Sequence, residues 1–114
     1  MRIITNVILT CLLAASLAAP AMAHHSAAAY NTQQPMTITG TVTEYRFRNP
    51  HIFITVAVKN ADGSTSSIEV EAGAASVLGP RGFTRDAVAI GDVVTIAGNP
   101  SRNAPDKFML GREL

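Results

Sequence analysis

Tryptophan is absent from this 114-residue chain, which holds two tyrosines, four phenylalanines and a single cysteine. So few rings exclude a core built on large aromatics, and also the broad aromatic surface that polysaccharide-cleaving copper enzymes present to their substrate. Charge is equally sparse: nine Lys and Arg stand against eight Asp and Glu, for a formal net charge of +1. That balance argues against a protein that coats a polyanion, which needs a clustered cationic surface, so nucleic acid is not expected among the partners. No apolar run is long enough for a bilayer core, which takes about 20 residues. No serine can be matched to a histidine and an acid in a triad pattern, so no enzymatic activity is expected. The length suits one small domain.

The first residues have the three parts of a secretory leader. Arg2 gives a positive start, Val7 to Leu17 an apolar core, and Pro20 with Ala21, Met22 and Ala23 a breaker and small-residue cleavage site. Residues 1–23 are therefore expected to be a signal peptide, removed after Ala23, with a periplasmic or secreted product that no membrane retains. Cys11 follows Thr10 inside the apolar run, so it reads as discarded with the leader rather than as a lipid-modified terminus. Without it the mature chain has neither a disulfide nor a thiolate metal site.

Residues 24–35 lack apolar periodicity and read as an N-terminal arm. Regular structure starts at Met36. Met36, Ile38 and Val42 alternate with threonines, then Tyr45 and Phe47 continue in the opposite phase. A bulge near Thr43 and Glu44, with Gly40 in the strand, accounts for the flip and predicts a sharp bend. A second strand is predicted over His51–Val58, with Ile52, Ile54, Val56 and Val58 on one face. Lys59 to Gly63 form a turn, and Ser66–Glu71 a third strand with Ile68 and Val70 inward. A short helix over Ala74–Leu78, stopped by Gly79 and Pro80, precedes a fourth strand over Gly91–Gly98 and a short last strand within Lys107–Leu114. Three strands, one helix and two strands, the first long and bent, predict a mostly β, five-stranded OB-like barrel over residues 36–114. Met36 and Met109 are expected to fill its core.

The mature chain has three histidines, His24, His25 and His51. Cleavage after Ala23 makes His24 the terminal residue, able to chelate through its α-amine and ring Nδ1. A second imidazole would complete the planar nitrogen set that suits Cu(II). His51, at a strand start beside Pro50, is the candidate, with His25 as a possible third ligand. One copper ion is the expected cofactor, and a periplasmic or metal-delivery protein the expected partner. If Asn60 pairs with Ser64, Phe53 pairs with Glu71, and Glu71 lies diagonally beside His51, where its carboxylate would orient the ring. From His24 to Met36 the chain reaches up to roughly 40 Å, which permits this site without selecting it. The same histidines also fit solvated terminal side chains and an ordinary strand-end residue. The alternative is then a metal-free interaction module that meets a partner through the loop of Arg46, Arg48, Asn49 and Pro50. Glu69 and Glu71 read as solvating an exposed strand face.

His24, His25 and Ser26, Gly40 to Val42, Asn49 to His51, Gly82 to Asp86, and Gly91 with Asp92, in that order and spacing, resemble a family of small exported bacterial proteins of unknown function. The resemblance implies export and a compact β-domain. It implies no activity.

Overall fold

The computed structural model describes residues 28–113. The predicted signal peptide, His24 and His25 lie outside the described residues. Five strands form a closed barrel: β1 (Met36–Arg46), β2 (Phe53–Lys59), β3 (Thr65–Glu71), β4 (Val93–Pro100) and β5 (Phe108–Glu113). They run around it in the order β1-β2-β3-β5-β4, with β4 closing on β1. This is the predicted mostly β, OB-like architecture, with the predicted short helix between β3 and β4.

The first strand makes closure possible. Its N-terminal half, Met36 to Thr41, pairs antiparallel with β4, and its C-terminal half, Thr41 to Arg46, with β2. The register slips between Val42 and Glu44, so Thr43 is the bulged residue. The slip carries Tyr45 and Phe47 onto the core side with Ile38 and Val42, as the change of phase predicts. Glycine at position 40 is a steric requirement. A Cβ there would lie 2.2 Å from the Ala57 carbonyl oxygen and 2.8 Å from Val56 Cγ1, so only a bare backbone passes through the bend.

Alternation through β2 and β3, continued one residue past each to Ile52 and Ala72, supplies most of the interior. Ile52, Ile54, Val56 and Val70 are fully buried, with Ile96 from β4 and Met109 from β5. Met36 packs at the edge of this cluster. Asn60 and Ser64 close the β2–β3 hairpin, the Asn60 amide donating to the Ser64 carbonyl at 2.9 Å, and Gly63 turns at φ 86°. The register is the expected one, with Phe53 opposite Glu71 and Ile54 opposite Val70.

Between β3 and β4 the chain forms α1 (Ala75–Leu78), then tightens into a 3-10 turn over Gly79–Arg81 instead of stopping at Gly79. Pro80 sits in the first turn of that segment, where its missing N–H breaks no hydrogen bond. The start of α1 has no cap of its own; the side-chain oxygen of Asn49 accepts from the Ser76 amide at 3.0 Å. β4 begins two residues later than the alternation suggests and continues to Pro100, because its far end is paired by β5.

Candidate metal centre

His51 lies two residues before β2, which starts at Phe53 rather than at His51 as the alternation suggests. The ladder extends past the strand end there: the Ile52 amide donates to the Gly73 carbonyl at 3.0 Å, and the Ala72 amide to the Ile52 carbonyl at 2.8 Å. Ile52 is fully buried and fixes its neighbours on both sides. The imidazole of His51 is thereby held against β3, with Nδ1 3.1 Å from the Ala72 carbonyl and 3.3 Å from Glu71 Oε1. Both of those oxygens accept, so the neutral ring carries its proton on Nδ1 and leaves the Nε2 lone pair free. Metal-ligating histidines almost always donate their other ring N–H to an acceptor in this way. The predicted contact between His51 and Glu71 is present.

Glu71 has a second neighbour, which the sequence does not announce. The Tyr30 hydroxyl donates to Glu71 Oε2 at 2.8 Å. Burial pushes the Tyr30 phenol well above its ordinary range, and its bond to the Glu71 carboxylate pushes it further. Tyr30 reaches Glu71 because the chain before β1 is fastened to the end of β4. Tyr30 bridges to Ser101, the Asn31 amide donates to the Pro100 carbonyl at 2.8 Å, and the Arg102 amide donates to the Ala29 carbonyl at 2.9 Å. The Arg102 guanidinium adds a bond to the Ala28 carbonyl at 3.1 Å. One carboxylate therefore joins the N-terminal arm to His51.

One row of paired residues crosses all five strands here: Arg46, Phe53, Glu71, Leu110 and Asn99. Phe53 faces away from the core, with the Arg46 guanidinium 4.7 Å and the Arg48 guanidinium 5.7 Å from its ring centre. The His51 and Phe53 rings meet edge to face at 6.5 Å. Glu69 and Glu71 do more than solvate this face: Glu69 forms an ion pair with Arg46, which also has Glu44 Oε1 3.3 Å from its Nε. The Nε contact is an ionic one only, since no hydrogen bond aligns with that atom. Of the predicted partner loop, Arg46 is thus engaged within the protein, Asn49 holds α1, Pro50 follows a cis peptide bond, and Arg48 stays exposed.

Among the described residues no three His, Cys, Asp or Glu cluster to hold a metal ion. His51 supplies one ring; the other expected ligands, His24 and His25, fall outside the described residues. Among the described residues, too, no helix is long and apolar enough to cross a membrane.

Residues 12–108 match a family described as a family of unknown function (DUF6152), and the chain belongs to it. No curated protein matches the chain. Among solved structures, the barrel resembles the mitochondrial single-stranded DNA binding protein Rim1 of S. cerevisiae. The two are 13% identical, the likeness covers 70% of this chain and 88% of that one, and the TM-score is 0.53. At that identity the likeness shows a shared fold. It also corrects the partner expected from the sequence, which excluded nucleic acid. Net charge averages over the whole chain, whereas binding depends on one face, and this barrel shape occurs in a protein named for binding single-stranded DNA.

Proposed function

We propose that this member of the DUF6152 family is an exported protein that holds one Cu(II) ion between His51 and its processed N-terminus, and so buffers the metal. The observation that carries this reading is the double use of Glu71, which receives Tyr30 from the arm and His51 from the barrel. With the arm fastened at Ala28, only four chain steps lead from that anchor to His24, a reach of at most roughly 14 Å. That is about a third of the freedom allowed when the arm is counted from Met36. The α-amine and ring of His24 supply two nitrogens and Nε2 of His51 the third, with His25 as a further donor. Nitrogen ligands of this kind favour Cu(II) over the other divalent first-row ions. Because the amine binds deprotonated and ordinarily titrates near ~7.7–8.0, affinity rises with pH through that range.

Isothermal titration of the purified chain beginning at His24 tests the reading. One equivalent of Cu(II) binds tightly, and His51→Ala weakens it while the far-ultraviolet circular dichroism and melting temperature stay as in the parent. Undiminished binding in His51→Ala, or no binding by the parent, contradicts it.

A second reading rests on Phe53, whose ring has the guanidinium groups of Arg46 and of the exposed Arg48 beside it on the β2 face. Aromatic rings flanked by arginine stack the bases of single-stranded nucleic acid on folds of this kind. Binding of a labelled oligothymidine that weakens with salt and with Phe53→Ala supports it; no binding at low salt dismisses it.

A further inference from the structure

A cavity of about 310 Å³ opens on the opposite side of β3 from the Glu71 face, and neither reading above uses it. It exists because β3 and β5 pair in parallel over three residues only, ending at Glu71 opposite Leu110. Beyond that point the two strands part, leaving Ala72 facing a gap beside Gly111. Gly111 lets β5 pass close to β3 at the edge of this gap, since a Cβ there would lie 2.9 Å from Val70 Cγ1. Leu78 of α1 and Phe83 of the segment after it roof the space, and both also pack against the barrel core. The lining is apolar except at the rim, where Arg112 stands exposed. Among the described residues no carboxylate pairs with Arg112.

We propose that this cavity binds a small carboxylate with a compact apolar tail, the carboxylate on Arg112 and the tail between Val70, Leu78 and Phe83. Its volume falls at the lower end of the range for small-molecule sites, roughly 300–1,000 Å³, which limits the tail to a short chain or single ring. A guanidinium presents two parallel N–H groups that match one carboxylate. One cation among apolar walls does not suit phosphate, whose charge and extra oxygens need further donors. The walls come from β3, β5 and the segment around α1, which are far apart in the sequence, so the cavity is a product of how the barrel closes.

Calorimetry and amide chemical shifts of the purified protein with hexanoate, hexylammonium and 1-hexanol test the proposal. Hexanoate binds saturably at one site and moves the amides of Phe83 and Gly111, while hexylammonium does not bind. Arg112→Gln weakens hexanoate by about tenfold or more, and Arg112→Lys, which keeps the charge, recovers part of that loss. Arg112 is exposed, so neither variant threatens the fold. Absence of saturable hexanoate binding, equal binding of all three probes, or indifference to Arg112→Gln each overturns the proposal. None of these results depends on copper.

Discussion

Removing the hydroxyl that fastens the arm, by Tyr30→Phe, isolates the contact on which the candidate site depends. The phenol donates to a carboxylate at 2.8 Å, and the Glu71 side chain is only 14% exposed. Hydrogen bonds to charged groups contribute about 1.5–3 kcal/mol, and the partly exposed phenol puts this one at the lower end. A double-mutant cycle with Glu71→Ala separates the bond from whatever else each side chain does. Urea unfolding of the parent, both single variants and the double variant is expected to give a coupling energy of about 1.5 kcal/mol. Hydrogen exchange reads the same event locally. The Asn31 and Arg102 amides, which tie the arm to β4, exchange faster in Tyr30→Phe, while the buried amides of β2 do not. Loosening the arm also dilutes the N-terminal ligands around His51, lowering copper affinity by up to about tenfold. A coupling energy within about 0.3 kcal/mol of zero, the usual scatter between independent sites, refutes the idea that Glu71 joins arm and barrel.

Two further outcomes follow from the same structure. Ile54→Ala empties a fully buried position in the barrel and costs about 2–5 kcal/mol by chemical denaturation; a loss below about 1 kcal/mol contradicts the assigned core. The Tyr30 phenol is raised above its ordinary 10.0 in the folded protein, so its contribution is complete below pH 10 and declines as pH rises beyond it. Stability between about pH 9 and pH 11 therefore falls more in the parent than in Tyr30→Phe, as followed by urea midpoint; equal falls would show that the phenol is not held neutral.

Local chemistry made much of the barrel legible. Alternation from Ile52 to Val58 and from Ile68 to Val70, with a tight turn at Asn60 to Ser64, fixes the hairpin register, because a slip of one residue would turn the apolar set outward. That register was enough to bring Glu71 beside His51. The change of phase after Val42 revealed the bulge for the same reason. Features set by distant partners were not legible. The parallel pairing of β3 with β5, the extension of β4 to Pro100 and the cavity beside Gly111 all follow from closure, which leaves no periodic mark in any one segment. The Tyr30 anchor was missed because a single aromatic in a polar, aperiodic arm has no local pattern to place it. Glu69 was read as solvated because alternation gives the face of a residue and not its diagonal neighbour, here Arg46. The partner expectation failed differently, by letting a whole-chain charge stand for the charge of one face.

The most direct measurement compares Cu(II) affinity for the chain beginning at His24 with that for the same chain carrying one extra alanine before it. The addition moves the free amine away from the His24 ring and leaves every described contact of residues 28–113 in place. The expected result is one tight equivalent for the first and loss of most of that affinity for the second. Equal affinities would mean that the terminal amine is not a ligand and that no copper ion is shared between the processed terminus and His51.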